Sequence, residues 1–428
     1  MQGARRAPPG TCPSSEFKRR GQQAPSFDLP VHCWMEQACE VPARARPPPQ
    51  YGQVCRCRTR LSVSTAPMRQ LQRQPPLRPN SRCFTPARAP GNVRQRALKR
   101  TRDMKIGFIG LGNVGGKLAG SLLRNGFDLT VYDLNPDLVA EYVEKGAQPG
   151  TGPLAIMRAC DAVITCLPSP AACATVVEEM LPAVDSSKIW MEMSTTDAAE
   201  VKRLAALVSE RGGSAMECPV SGGCHRADTG NISIFAGCDR ATFERMLPTL
   251  TTLGRRVLHT GDIGSASILK VMTNYLATAN LLTCCEALVT MKAAGIDLNT
   301  TYEAMKISSG TSFVHETESQ VILNGSRDIS FTMDLVKKDI SLFQTIADAH
   351  GVPLEISPLL VEIFTDGIAR FGERELSPNI IRRLEEATGL SITAPGFPAE
   401  MVDDEPEEPG YEVVPTGLSA PLAKAPAG

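Results

Sequence analysis

The feature that most constrains the fold of this 428-residue chain is the stretch from residue 105 to residue 133. It opens with an apolar run that suits a strand buried on both faces. Three glycines follow in G-x-G-x-x-G spacing: Gly110, Gly112 and Gly115. Leucines at helical spacing come next, and a second short strand ends at Asp133. Strand, glycine turn, helix and strand in this order predict a Rossmann-type unit within a doubly wound parallel sheet.

The three glycines and Asp133 each suit a dinucleotide cofactor. Gly110 allows the tight turn, Gly112 lets the backbone approach a pyrophosphate, and Gly115 lets helix and strand pack closely. The following helix presents free N–H groups and roughly half a positive charge to the phosphates. Asp133 lies 21 residues after Gly112, where a carboxylate can accept hydrogen bonds from the ribose hydroxyls. The pattern predicts a dinucleotide site, and its alternative is a tight turn without a ligand.

The chain from residue 104 onward divides into three parts. Short apolar strands alternate with amphipathic helices over 104–265, which predicts an α/β domain. A proline-free helix over 266–294 and five further helical segments predict an all-α domain over 266–392. Residues 393–428 are acidic and contain prolines, so they are predicted to be disordered.

Residues 1–103 are rich in Arg, Pro and Gln and keep no helical or strand period, which predicts a disordered basic extension. Three explanations stay open for it: an Arg-rich targeting segment, a basic tail that binds polyanions, or a protein whose true start is Met104. The expected compartment, cytoplasmic or mitochondrial, depends on which explanation holds.

Charge is distributed unevenly along the chain. Residues 1–103 contain 20 Lys and Arg against 5 Asp and Glu, whereas the remainder contains 25 against 41. The acidic part from residue 104 onward is therefore not expected to bind nucleic acid. No apolar run reaches 18 residues, so no membrane-spanning helix is expected.

The 14 cysteines and 5 histidines show no spacing typical of a metal site. Eight cysteines follow residue 103, and they include Cys160, Cys166, Cys284 and Cys285, which lie in apolar or helical segments. Free thiols of a reducing compartment are the plain interpretation of that pattern. No metal ion is expected.

Lys270 and Asn274 are the clearest candidates for chemistry, because they lie four residues apart on one face of the long helix. The first turns of this helix are expected to line the cleft between the two domains. Partial burial and a nearby nicotinamide charge would lower the pKa of Lys270, so that it can accept a proton from a substrate hydroxyl. Asn274 would hold the hydroxyl or the lysine. The alternative is a lysine whose stem covers an apolar face while its ammonium group reaches water.

Polar residues follow three of the predicted strands, at the sheet edge where ligands bind in doubly wound folds. They are Pro168-Ser169, Ser194-Thr195-Thr196 and Ser221-Gly222-Gly223. Each can be an ordinary loop with a helix cap, but together they mark the rim of one cleft. The pair Lys337 and Lys338 either reaches back to the cofactor or forms a solvated helix face.

Several of these segments resemble the β-hydroxyacid dehydrogenase family, most closely its 3-hydroxyisobutyrate dehydrogenase branch. The matching segments are, in chain order, GFIGLGNVG (107–115, with Val114 where methionine is usual), PVSGG (219–223), GNISIFAG (230–237), Lys270 with Asn274, SSG (308–310), and Phe331 with Lys338-Asp339. They occur in the family's order over residues 104–390, which makes the resemblance far more specific than any single motif.

The resemblance implies a role for each matching position. Asp133 would hold the adenosine ribose and favour NAD over NADP. Lys270 would be the catalytic acid/base, with Asn274 as its neighbour, and Lys338 would contact cofactor or substrate. The other cofactor contacts would be Gly110, Gly112, Asn113, Val114, Gly115, Leu167, Pro168 and Thr195. The substrate carboxylate would be bound by Ser221, Gly222 and Gly223. Members of this family commonly form dimers or tetramers through the helical domain.

Three departures from the family pattern concern the far end of the substrate. Glu217-Cys218 replaces the usual Asp-Ala, Thr273 replaces the first of two asparagines, and Cys224-His225-Arg226 continues the substrate loop in an unusual way. The carboxylate loop and the lysine are retained.

The expected activity is NAD-dependent oxidation of a small 3-hydroxy acid, with 3-hydroxyisobutyrate as the first candidate, to its 3-oxo acid. Reduction of 2-hydroxy-3-oxopropionate (tartronate semialdehyde) is a close alternative that would use the same residues. An inactive relative that serves as a binding or oligomerisation module is an alternative of another class. An NADPH-dependent imine reductase is a third, opposed by Lys270 and by the negative charge of Asp133.

Overall fold

Strands and helices alternate in the first half of the fold, and helices follow in the second half. This is the arrangement in the computed structural model, which describes residues 104–417. The extension predicted over 1–103 and residues 418–428 lie outside the described part. No helix within 104–417 is long and apolar enough to cross a membrane.

The strands of the described residues form one sheet. They are β1 (Lys105–Ile109), β2 (Asp128–Tyr132), β3 (Gln148–Pro149), β4 (Ala162–Thr165), β5 (Ile189–Glu192), β6 (Ser214–Glu217), β7 (Val220–Ser221), β8 (Ser233–Gly237), β9 (Arg256–Gly261) and β10 (Tyr411–Val413). Their order is β10-β9-β8-β6-β5-β4-β1-β2-β3, with β7 paired to β8 beside this path. Strand β8 is antiparallel to β6 and β7, and every other pairing of these strands, including that of β8 with β9, is parallel.

The strand order contains the run 3-2-1-4-5-6, which is typical of dinucleotide-binding doubly wound sheets. β1 pairs with β2 on one side and with β4 on the other, so it is the central strand of this run. The order in which successive strands are added to the sheet reverses beside β1, between β1 and β4, and ligands of doubly wound folds bind in the crevice at such a switch point. The predicted Rossmann-type fold followed by a helical region is confirmed.

The helices of the described residues are α1 (Asn113–Arg124), α2 (Pro136–Glu144), α3 (Pro153–Ala159), α4 (Pro170–Met180), α5 (Ala198–Glu210), α6 (Cys224–Asp228), α7 (Arg240–Leu253), α8 (Ser265–Ala293), α9 (Leu298–Lys306), α10 (Phe313–Asn324), α11 (Met333–Ala349), α12 (Ile356–Phe371) and α13 (Arg382–Thr388). Helices α1 and α7 pack on one face of the sheet, and α3, α4 and α5 pack on the other. Adjacent residues of one strand serve both faces: Trp190 packs on one side and Met191 on the other, and both are fully buried.

The long helix α8 organises the second half. Its buried apolar side chains join those of α9 to α12 in a separate core that includes Leu288, Ile322 and Phe364. A helix of 29 residues is stable here because it contains no proline and packs against several neighbouring helices.

The C-terminal segment differs from its prediction of disorder. Within the described part, residues 393–417 follow a defined path and include β10, which pairs in parallel with β9. The prediction of disorder is wrong for these residues because their acidic side chains form salt bridges with arginines of the sheet half, the part of the fold from β1 to β9. Arg240 binds Glu412 at 2.6 Å, and Arg255 binds Glu408 at 2.5 Å. Composition alone showed the negative charge but not its partners.

Candidate active site

The glycine turn between β1 and α1 is closely packed at two glycines and open at the third. Gly110 has φ +98°, and a Cβ there would lie 2.3 Å from the carbonyl oxygen of Cys166. A Cβ on Gly115 would lie 2.1 Å from the carbonyl oxygen of Gly110. By contrast, a Cβ on Gly112 would meet no described atom within 4 Å. The open side at Gly112 is where a pyrophosphate can approach the backbone.

Helix α1 begins directly after Gly112, which has no side chain to cap it. The N–H groups of the first turn, beginning at Asn113 and Val114, are therefore available to an anion, and the helix dipole favours negative charge there. The side chain of Val114 is partly buried against the core, and its backbone N–H lies in this first turn. The side-chain amide of Asn113 instead reaches the helical half, the part of the fold from α8 to α13, and donates to the carbonyl oxygen of Ser330 at 3.0 Å.

Asp133 lies against this turn, at the end of β2. Its carboxylate accepts hydrogen bonds from the backbone N–H of Leu111 at 2.7 Å and of Asn135 at 2.8 Å. These bonds fix the carboxylate beside the turn, and its remaining lone pairs can accept ribose hydroxyls. Leu134, the next residue, is 90% exposed and offers an apolar surface beside the same position.

The loops after β4 and β5 are joined to each other. The backbone N–H of Leu167 donates to Ser194 Oγ at 2.7 Å, and the N–H of Ser194 donates to Glu192 Oε1 at 2.8 Å. Pro168 follows on the exposed rim of the loop. Burial raises the pKa of Glu192, and hydrogen bonds from Cys173, Ser194 and Thr165 oppose that effect. The structure thus brings Leu167, Pro168 and Thr195 to the same edge of the sheet.

A hydrogen-bonded chain links this edge to the helical half. Lys270 Nζ donates to Asn274 Oδ1 at 2.7 Å, and Asn274 Nδ2 donates to Asp339 Oδ2 at 2.5 Å. The other carboxylate oxygen of Asp339 lies 2.7 Å from Lys338 Nζ. Lys338 Nζ also donates to the carbonyl oxygen of Thr195 at 2.7 Å. Two helices and one strand-end loop therefore meet at a single network that contains both predicted lysines.

Lys270 is only 7% exposed, which excludes the alternative of an ammonium group held out in water. Its pKa is lowered from 10.5 to about 8. Burial is the main cause, Asp339 opposes it by favouring the charged form, and Lys338 adds to it. A lysine with such a pKa exchanges its proton near neutral pH, as an acid/base group requires.

Two buried carboxylates that support this site were not predicted as site residues. Asp339 is 2% exposed and orients Asn274. Glu217, at the end of β6, accepts hydrogen bonds from the backbone N–H groups of Gly264, Ala266 and Ser267 at 2.6, 2.8 and 3.2 Å. It therefore anchors the N-terminus of α8, the helix that carries Lys270, to the sheet. Burial raises the pKa of Glu217, while these bonds oppose the rise.

The glycine loop Ser221-Gly222-Gly223 lies along the same helix. β7 contacts α8 and places Ser221 opposite Ser233 of β8. Gly222 and Gly223 have φ of +132° and +87°, which residues with side chains rarely adopt. Such backbone can turn successive N–H groups toward an anion. The described residues contain no cluster of three or more His, Cys, Asp or Glu that could hold a metal ion.

Comparison with known proteins connects this arrangement to a family. A family model described as the NAD binding domain of 6-phosphogluconate dehydrogenase matches residues 105–261. A second, described as NAD-binding of NADP-dependent 3-hydroxyisobutyrate dehydrogenase, matches residues 264–384. The 2-(hydroxymethyl)glutarate dehydrogenase of Eubacterium barkeri is 31% identical over 296 residues, which are 68% of this chain and 98% of that protein. The chain belongs to the β-hydroxyacid dehydrogenase family.

This β-hydroxyacid dehydrogenase family comprises NAD(P)-dependent oxidoreductases that act on CH–OH groups. Mitochondrial 3-hydroxyisobutyrate dehydrogenase of Mus musculus is 29% identical over 269 residues, which are 60% of this chain and 80% of that protein. A crystal structure of 3-hydroxyisobutyrate dehydrogenase from Salmonella typhimurium is 26% identical with a TM-score of 0.61. The match covers 66% of this chain and 100% of the Salmonella chain.

Proposed function

We propose that this β-hydroxyacid dehydrogenase oxidises a small 3-hydroxy acid to its 3-oxo acid, with NAD as cofactor and Lys270 as the acid/base. The observation that carries the proposal is the buried ammonium of Lys270, whose pKa is lowered to about 8 and which Asn274 and Asp339 hold in place. A helix face that served only for packing would have no physical need for this network.

The residues around the glycine turn fit a dinucleotide. The open backbone at Gly112, the uncapped start of α1 and the fixed carboxylate of Asp133 provide a pyrophosphate site and a ribose site. When bound there, NAD would supply the hydride acceptor for the carbon that carries the substrate hydroxyl. Asp133 supports NAD over NADP, because a carboxylate at that position repels a 2′-phosphate.

Each residue of the network has a distinct task in this proposal. Neutral Lys270 accepts the hydroxyl proton, while Asn274 Oδ1 directs its amine. Asp339 stabilises the ammonium that forms, and Lys338 ties Asp339 to the loop at Thr195. The backbone of the loop at 221–223 binds the substrate carboxylate. In the reverse direction the ammonium of Lys270 returns the proton to the forming alcohol.

The names of the relatives support the class of substrate. Both 2-(hydroxymethyl)glutarate and 3-hydroxyisobutyrate carry a CH2OH group on the carbon next to a carboxylate, so the hydroxyl of each is primary and lies on a β-carbon. The first candidate is therefore 3-hydroxyisobutyrate, which would give a semialdehyde. Reduction of 2-hydroxy-3-oxopropionate stays a second candidate, because it would use the same lysine and the same carboxylate loop.

The test is turnover of a panel of 3-hydroxy acids by the purified full chain with NAD and with NADP. Lys270→Met should lower kcat by about a thousandfold, as expected for loss of a general base. Lys337→Met removes a lysine that lies outside the network, next to Lys338 in sequence. This variant should keep kcat within about twofold of wild type. Oxidation should rise through a midpoint near pH 8, because only the neutral amine accepts a proton. An active Lys270→Met enzyme would refute the mechanism, and inactivity on the whole panel would refute the function.

A homo-oligomer built on the helical half is also proposed. Several large apolar side chains on or beside these helices are about half exposed or more: Leu276, Ile307, Ile356 and Leu359. Association of two copies would remove such surface from water. Light scattering on the purified chain measures the state, and a monomer at micromolar concentration would oppose the proposal. A monomer without turnover would favour the alternative of an inactive binding module.

A further inference from the structure

A segment that neither family model reaches connects the two halves of the fold. The second family model ends at residue 384, whereas the C-terminal strap, defined here as residues 394–413, continues beyond it. The strap starts on the helical half, where the N–H of Ala394 donates to the carbonyl oxygen of Leu323 at 2.8 Å. The ring of Phe397 then packs edge-on against Tyr302, with centroids 4.9 Å apart.

The middle of the strap lies on the sheet half, close to the glycine loop. The side chain of Asp403 is 3% exposed, and its carboxylate accepts hydrogen bonds from Thr229 Oγ1 and, at 2.7 Å, from Asn231 Nδ2. Asn231 Nδ2 also donates to the carbonyl oxygen of Glu405 at 2.8 Å. A buried carboxylate with these partners fixes the strap to the turn that follows α6.

Helix α6 connects the glycine loop to this turn, and its orientation depends on contacts with other elements, among them the pairing of Asp228 with Lys117 of α1. Helix α6 has five residues and follows Gly223, which provides no side-chain cap. Helices of this length are unstable by themselves, so their placement depends on tertiary contacts. Two glycines with positive φ precede it, and they allow the loop many alternative conformations.

Arg226 of α6 transmits the contact from the strap to the loop. Its guanidinium donates to Glu405 Oε1 at 3.0 Å, and its Nε lies 3.9 Å from Asp403 Oδ1. The same guanidinium lies 4.9 Å from the ring centre of Phe313 in α10. Next to the guanidinium, on the stem of the same side chain, Arg226 Cδ would lie 3.3 Å from a Cβ on Gly222. The stem of Arg226 therefore packs along the loop while its charged end is held by the strap.

We propose that Asp403 and Glu405 are positioning residues for substrate binding, which hold Arg226 and α6 so that the loop at 221–223 keeps its carboxylate-binding shape. The inference rests on the proposed function of that loop. It assigns part of the substrate site to a segment beyond the region that the family models match. Loss of the two carboxylates would free Arg226, and the glycine loop would then sample conformations that bind the substrate carboxylate less well.

The test compares the full-length double variant Asp403→Asn/Glu405→Gln with wild type. We expect KM for the hydroxy acid to rise about tenfold, while kcat and KM for NAD change less than about twofold. Inhibition by isobutyrate, a carboxylate without a hydroxyl, should weaken by the same factor. Glu408→Gln is the matched control, because Glu408 lies in the same strap but binds Arg255 at its exposed surface. It should leave every constant unchanged.

Amide hydrogen exchange separates this proposal from the proposed function. Residues 221–229 should exchange faster in the double variant, with no change in the glycine turn at 110–115. Unchanged exchange together with unchanged KM would overturn the proposal. If the double variant is unstable, single Glu405→Gln answers the same question. If wild type oxidises no hydroxy acid, the proposed function fails, and exchange at 221–229 still decides whether the strap holds the loop.

Discussion

Replacement of Asp339 by asparagine should move the pH dependence of catalysis in a direction that can be worked out from the network. The buried carboxylate of Asp339 raises the pKa of Lys270 against the lowering effect of burial. Asparagine keeps the size of the side chain and can still accept the hydrogen bond from Asn274. It removes the negative charge, so the protonated form of Lys270 becomes less favourable and the pKa falls.

The size of the effect follows from the separation of the two charges. The amide of Asn274 lies between them, with hydrogen bonds of 2.7 and 2.5 Å. Charges about 6 Å apart interact by about 1.5 to 3 kcal/mol for effective dielectric constants between about 40 and 20. That energy corresponds to about one to two pH units. Lys338 would lose its carboxylate partner as well, and the positive charge of Lys338 also lowers the pKa of Lys270.

The assay is the pH profile of kcat/KM for hydroxy-acid oxidation between pH 5.5 and pH 10, with the buffer range chosen to bracket the wild-type midpoint. The midpoint of the acid limb should move from near pH 8 in wild type to a value at least about one unit lower in Asp339→Asn. Asp334→Asn is the control, because Asp334 lies on the same helix but binds Arg374 at the surface. A midpoint that stays in place, or moves upward, would refute the assigned coupling between Asp339 and Lys270.

Three further predictions concern the cofactor turn and the anchor of α8. Asp133→Ser should raise the ratio of kcat/KM with NADP to that with NAD by at least about tenfold, and an unchanged ratio would contradict the ribose assignment. Gly115→Ala should abolish NAD binding in calorimetry, because its Cβ would lie 2.1 Å from the carbonyl oxygen of Gly110; wild-type affinity would show that the turn adapts. Glu217→Gln should lower the free energy of unfolding by about 2 kcal/mol in urea titrations, since an amide cannot accept all of the hydrogen bonds at the start of α8. Stability equal to wild type would contradict the anchor.

The parts of the fold that depend on local pattern were accessible from sequence. The helix predicted over 266–294 is observed as Ser265–Ala293, because a long proline-free run with apolar residues on several faces specifies a buried helix. The pairing of Lys270 with Asn274 also follows from spacing alone, since residues four apart share a helix face. The glycine turn was predictable for the same reason, because its steric demands lie within a few residues.

The supporting carboxylates were harder to predict because their partners are distant in sequence. Asp339 is 65 residues from Asn274, and Glu217 is 47 to 50 residues from the backbone groups it binds. Glu217 was visible only as a departure from the family pattern, and Asp339 only as the neighbour of Lys338. Their roles appear once the folded chain places each carboxylate beside the helix that it supports.

Short elements and the acidic tail were missed for related reasons. Helix α3 and strand β3 are too short to show a period, and α6 has only five residues. The negative charge of the tail indicated disorder because composition does not show the arginines that neutralise it. Arg226 lies in α6, Arg240 in α7, and Arg255 in the connection between α7 and β9, and only the fold brings them to the tail.

The pairing of β10 with β9 has a practical consequence for work on this protein. β10 is the last strand of the sheet on that side, so it covers backbone N–H and C=O groups of β9 that would otherwise face solvent. A shortened gene product that stops where the second family model stops, at residue 384, would expose that edge. Unprotected sheet edges template association between chains, so such a truncation should precipitate or form large assemblies on expression. Expression designs should therefore retain the chain through at least residue 417.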